Sequence, residues 1–186
     1  MKKVIWSLLT VLAVLFLHIA LINQAEAARV AVVPIEIDEA KVARANDFNG
    51  YYWDIMIDRF KYPEYELIDD EKVAAAVPEN RQQLFNKEAL VKILDKTDAE
   101  IVVAMRLDIV EESPYPTFDE PMLECIMKGE FVGYNRITGK YYNKKINYKD
   151  KIEEVLTLRN DWQRDVFVAE LKRYINRTLE DKKSKK

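Results

Sequence analysis

The stretch Arg29 to Ile35, RVAVVPI, constrains the fold most. Val30, Ala31, Val32 and Val33 follow one another with no polar residue between them, so neither face of the segment can meet water. A run this short and this apolar reads as a central strand covered above and below, and strands so placed are parallel ones. Pro34 has no N–H to give a ladder and marks its end. Each later element must therefore supply a cover for this strand or a neighbour to it.

Phe48, Tyr52, Ile55, Met56 and Phe60 recur at helical spacing and predict a helix over 47–60, with Asn46 or Asp47 placed to cap it and Gly50 in its first turn. Tyr65 to Ile68 (YELI) reads as a brief strand. Asp69 and Asp70 then head a short helix through Val77 that Pro78 stops. After a polar segment, Leu90, Ile93 and Leu94 mark a helix begun near Asn86. Ile101, Val103, Met105, Leu107 and Ile109 form one face of the next strand. On its other face Val102 and Ala104 give way to Arg106 and Asp108, so that side turns wet. A proline-punctuated loop, Ser113 to Pro121, leads to a strand with Leu123, Cys125, Met127 and Phe131 on its apolar face. Asn135 to Gly139 (NRITG) reads as a hairpin connection with Gly139 at positive φ, followed by a strand over about 140–148. Phe167, Leu171, Tyr174, Ile175 and Leu179 mark a long C-terminal amphipathic helix.

The order is thus β-α-β-α-α-β-β-β-α. Alternation at the start implies right-handed parallel crossovers, and a hairpin at the end implies an antiparallel extension. The fold class is α/β (α+β): a mixed sheet of about five strands with helices packed on it.

The first residues speak to location. Lys2-Lys3, the apolar stretch Val4 to Ile22, and the small-x-small run Ala25-Glu26-Ala27 have the order of a secretory signal, with cleavage expected after Ala27. The apolar stretch is long for a signal core and approaches a bilayer span, so an uncleaved anchor is the alternative and the only expected membrane contact. The organisation expected is a signal over 1–27, one domain over 28–180 and a basic tail over 181–186. The destination is the periplasm or the outer side of the cytoplasmic membrane.

Composition narrows the chemistry. The net charge is −3, which makes no electrostatic case for nucleic acid. The single His is His18, inside the targeting segment, so the mature domain has no imidazole for a Ser-His-Asp or Cys-His site or for His-ligated zinc. Cys125 is the only Cys, which rules out an intrachain disulfide; on an apolar strand face it reads as core filling. No cofactor motif or metal-ligand spacing is present. Asn176-Arg177-Thr178 matches a glycosylation sequon but falls inside a predicted helix and is set aside.

Two sets of residues remain as site candidates. If the first three strands are parallel, their carboxyl ends carry Glu36 and Asp38, Asp69 and Asp70, and Asp108 with Glu111 and Glu112. Open α/β sheets bind ligands at that edge. Glu36, Asp38 and Asp108 would be the acids of a small hydrolase acting on cell-wall sugars, or the ligands of a divalent cation; helix caps and solvated loops account for the same acids. Tyr141, with Tyr142 and Tyr148, would make an edge hairpin aromatic, suited to protein or glycan contact. Trp53 and Ile57 lie off the main stripe of the first helix. The simpler expectation is that the fold covers them, with partner contact the alternative.

Three stretches together, RVAVVPI, Ala89 to Val110 (ALVKILDKTDAEIVVAMRLDIV) and Gly129 to Tyr142 (GEFVGYNRITGKYY), resemble the envelope domains built like the amino-terminal domain of TolB and the curli-secretion lipoprotein CsgG. The resemblance covers most of 29–178. The chain is too short to carry TolB's propeller, lacks the lipid-bearing Cys of CsgG, and leaves only the 111–121 loop as room for a barrel-forming hairpin. The resemblance implies a non-catalytic binding or assembly module whose partner is an envelope protein or a cell-wall glycan.

Overall fold

The computed structural model describes residues 27–118, 121–153 and 161–180; the expected signal segment, except Ala27, and the basic tail lie outside them. The strand expected from RVAVVPI is β1, Ala28–Val32, followed by a two-residue β2, Glu36–Ile37. Then come α1 (Ala45–Arg59), β3 (Tyr65–Leu67), α2 (Asp70–Ala76), a 3-10 turn (Arg81–Phe85) and α3 (Lys87–Thr97). Three long strands follow, β4 (Ile101–Tyr115), β5 (Met122–Asn135) and β6 (Lys140–Glu153), and α4 (Trp162–Leu179) completes the set.

The sheet runs β3-β1-β4-β5-β6, with β2 also on β4. β1 is parallel to both neighbours, pairing Ala28 with Tyr65 and Val30 with Ile101, while β4-β5-β6 is an antiparallel meander. The mixed α/β sheet with helices on both faces is the expected class, with six strands in place of about five. β2 is the addition, and Pro34 explains it. β1 pairs Val32 with Val103 and β2 pairs Glu36 with Arg106, so the first chain spends one residue more than β4 between the two pairs. The proline interrupts the ladder and pairing resumes beyond it.

Each face has its own core. Val30, Val32, Val103, Met105, Leu107 and Phe131 pack under α1 and α4, where Phe48 meets Phe167 edge-on at 5.2 Å between ring centroids. Ala31, Val33, Val102, Ala104 and Val132 pack under α2, the 3-10 turn and α3. The doubly apolar reading of β1 thus corresponds to a strand sandwiched between two helical layers.

Several boundaries moved for local reasons. α1 starts two residues early, at a left-handed Arg44 (φ 62°) with no side-chain cap; Asp47, expected to cap, instead accepts from Arg44 Nε at 2.6 Å. Asp69 and Asn86 do cap α2 and α3, accepting from Glu71 and Lys72 N–H and from Ala89 N–H. The polar segment before Asn86 contains the 3-10 turn, whose Leu84 and Phe85 are buried. The loop expected from Ser113 starts only after Tyr115, and β6 runs on to Glu153, so the meander is longer than expected, with Leu123 and Ile152 still packed on the core. Gly139 has φ 65°, as the hairpin reading required.

The largest departure is a bulge. Leu107 pairs with Gly129, but Ile109 pairs with Lys128, leaving Asp108 as the extra residue. The bulge inverts the facing of everything after it: Val110, not Ile109, enters the core under α4.

Candidate functional site

α1 covers one face of the parallel strands and the 3-10 turn covers the other, so the carboxyl ends of β1 and β2 open between two layers. Such a position is a crevice in open α/β sheets. Here it is a cleft of about 390 Å³, lined by Ile35, Glu36, Ile37 and Glu39 from the strand side, Ala45, Asn46 and Asn49 from the first turns of α1, and Arg81 from the 3-10 turn.

The three candidate acids do not share it. Glu36 lines the cleft and has one carboxylate oxygen, Oε2, sealed from solvent without a hydrogen-bond partner. Asp38 lies just beyond and is engaged locally: Lys41 Nζ donates to it at 2.9 Å and Ala40 N–H at 3.2 Å, and the lysine holds its carboxyl below the usual range. Asp108 is the bulge residue, 3.5 Å from Arg106 Nε. Of the other strand-end acids, Asp69 caps α2, and Glu112 accepts from Trp162 Nε1 at 2.5 Å and Gln163 Nε2 at 2.8 Å, anchoring the start of α4. Among the described residues no group of three or more His, Cys, Asp or Glu could hold a metal ion.

Sequence reasoning missed the densest polar cluster, next to this edge. Arg106 Nη2 donates to Glu130 Oε2 at 3.0 Å, and its guanidinium lies 4.8 Å over the Phe85 ring. Asn143 Nδ2 donates to Glu130 Oε1 at 3.1 Å and lies within bonding distance of the Phe85 carbonyl at 3.3 Å. Glu130 is only 8% exposed, and this network satisfies it. The signal available was the one Arg of β4 and one of two Glu on the polar side of β5; the register that joins Arg106 to Glu130 depends on the bulge.

The aromatic candidates divide. Tyr142 lies against Phe131 and Tyr174, and Tyr148 stacks on Trp162, both on the α4 side. Tyr141 is on the opposite face, its hydroxyl 3.2 Å from Asn143 Nδ2. Trp53 packs edge-on against Tyr52, but Ile57, one turn on, is 55% exposed. The expectation that the fold covers this pair fails at Ile57, because α4 packs along the Phe48 and Tyr51 side of α1 and leaves this side open.

Cleft and sheet together define a mixed α/β domain whose parallel half carries a polar crevice and whose antiparallel half extends as a three-stranded arm. No protein-family profile and no curated protein matches the sequence. In backbone shape the chain is similar to the hypothetical protein CT253 of Chlamydia trachomatis, with 14% identity and a TM-score of 0.44 over 82% of this chain and 94% of that one. It is also similar to the lipoprotein GNA1162 of Neisseria meningitidis (12% identity, TM-score 0.37, covering 80% and 98%). A further similar structure is the C-terminal domain of LpoB from Salmonella enterica (13% identity, TM-score 0.35, covering 69% and 87%).

Proposed function

We propose that the protein is an exported, non-catalytic binding or assembly module of a bacterial-type cell envelope, akin to the domains built like the amino-terminal domain of TolB and CsgG. The observation that carries this reading is the employment of the strand-end acids. Asp38, Asp69, Asp108 and Glu112 each serve a neighbouring lysine, helix cap, arginine or indole, so they hold the fold rather than face one another across a substrate. The basic and apolar order of the N-terminal residues supports export. Among the described residues no helix is long and apolar enough to cross a membrane.

The contact surface in this reading includes Trp53 and Ile57 on α1, with Tyr141 on the opposite face of the sheet. A half-buried tryptophan beside an open isoleucine is the composition of a protein-contact anchor. The partner is an envelope protein, with a cell-wall glycan as the alternative ligand of the tyrosine face.

The test is a crosslinking and mass-spectrometry survey of the native envelope, read on the wild type and two variants. A partner should be recovered reproducibly, be lost with Ile57→Glu, and persist when Glu36→Gln, Asp38→Asn and Asp108→Asn are combined. Loss of the partner in the triple variant, or no reproducible partner, would return the strand-end acids to the centre of the account as a hydrolase or cation site.

A further inference from the structure

We infer that the cleft at the carboxyl ends of β1 and β2 binds a small zwitterion: a group that presents an ammonium and a carboxylate together, as a free amino acid or a short peptide does. The inference is independent of the partner surface above and uses none of its residues.

Five polar side chains line the cleft: Glu36, Glu39, Asn46, Asn49 and Arg81. None of them makes a side-chain hydrogen bond or ion pair to any described residue. Asp38 is engaged by Lys41, Arg44 by Asp47 and Asp161, and Arg106 by Glu130 and Asp108. These three neighbouring charges are paired within the fold, and the charged groups that line the cleft are not. Glu36 Oε2 is sealed from solvent without a donor, so the oxygen that a ligand in the cleft can reach is the other one, which is unpartnered and not sealed.

The charges select the ligand. Arg81 is the only cation on the lining, and its planar fork suits a carboxylate held through two N–H groups. Glu36 and Glu39 are the anions, and together they suit an ammonium. A simple anion would face two carboxylates, and a simple cation would face the guanidinium. A molecule carrying both charges meets a complement for each. Asn46 and Asn49 can donate or accept as the ligand's amide requires, and Ile35 and Ile37 offer an apolar floor for a small side chain. At about 390 Å³ the space lies toward the small end of known ligand pockets and fits a residue or two.

The test is calorimetric titration of the protein with glycine, glycylglycine, N-acetyl-glycylglycine, glycylglycine amide, inorganic phosphate and calcium chloride. Saturable binding of glycine or glycylglycine is expected, with the affinity of each capped form at least about tenfold lower, as loss of one charge-assisted contact requires. Glycine binding as tightly as glycylglycine points to a free amino acid, and preference for the dipeptide points to a peptide. Arg81→Gln should weaken binding by about tenfold or more, while Lys172→Gln, on α4, should leave it unchanged. Glu39→Gln, at an exposed position, serves as the acid-side variant should Glu36→Gln fail to fold. No saturable binding of either zwitterion, equal binding of the capped forms, or tighter binding of phosphate or calcium would overturn the assignment.

Discussion

Two glycines answer opposite questions about the same substitution. A Cβ at Gly129 would sit 2.3 Å from the Arg106 carbonyl oxygen, a backbone atom on the neighbouring strand that cannot step aside. A Cβ at Gly50 meets nothing within 4 Å, in the interior of α1. Gly129→Ala is therefore expected to lower stability by about 2 kcal/mol or more, in the range of overpacked cores. Gly50→Ala should raise it by roughly 0.5–1 kcal/mol, the helix-propensity difference. Urea unfolding of both variants checks the pair, and a common sign would refute the packing argument. Cys125 makes a third residue-scale case. It is 0% exposed, and burial first, then the Glu112 and Asp150 charges, push its thiol up to about 11. Native protein should resist alkylation at pH 8 and react once unfolded, measured by mass shift; rapid native labelling would mean that the β4-β5 core opens readily.

Between elements, the Arg106–Glu130–Asn143 cluster ties β4, β5 and β6 to the 3-10 turn. Glu130→Ala would leave a largely buried guanidinium with only Asp108, at 3.5 Å, as an acidic neighbour. A loss of roughly 1–3 kcal/mol is expected, and less when Arg106→Met is combined with it, because then no charge is stranded. A double-mutant cycle by denaturant melts measures the difference. This cluster also shows where sequence reading stops. Helix caps at Asp69 and Asn86, the β1 sandwich and the Gly139 turn were legible because each depends on a few adjacent residues. The bulge at Asp108, the facing of Ile109 and the length of the arm were not, because pairing between strands sets them. The start of α1 departs from the spacing for a related reason: Arg44 takes Asp47 and reaches Asp161, a partner more than a hundred residues away. Glu36 and the edge it occupies were legible from the parallel order, but Arg81, Asn46 and Asn49 joined it only through packing.

For the molecule as a whole, titration sets two limits on stability. Asp38, Asp58, Asp98 and Glu180 are held below their usual range, chiefly by hydrogen bonds from Lys41, Lys61, Arg29 and Arg177. Their contribution is present above the ordinary carboxylate range and is lost as pH falls through it; because all four are exposed pairs, the slope should be shallow and shrink with salt. At the other end, burial raises the Cys125 thiol to about 11 and the Tyr174 phenol to about 12 and raises the Tyr52 phenol further, so the unfolded chain releases these protons first. Stability should fall steadily above about pH 9. Thermal melts from pH 3 to 11 should show a plateau with a gentle acid side and a steeper alkaline one, and a rise in Tm above pH 9 would contradict the assignment.

The extra residue at Asp108 bears on how such a chain can diverge. Because Leu107 and Ile109 already pair with the consecutive residues Gly129 and Lys128, deleting Asp108 keeps the β4-β5 register on both sides of the bulge and straightens that ladder, while the bridge from Val42 to Val110 on the other edge of β4 would have to shift. What would change is aim: the three-stranded arm would leave the body along a different line, with its own register intact. A single codon thus works as a mitre joint, able to redirect a surface toward a differently placed neighbour, with the adjustment confined to the contacts of Lys41 and Val42 on the far edge of β4.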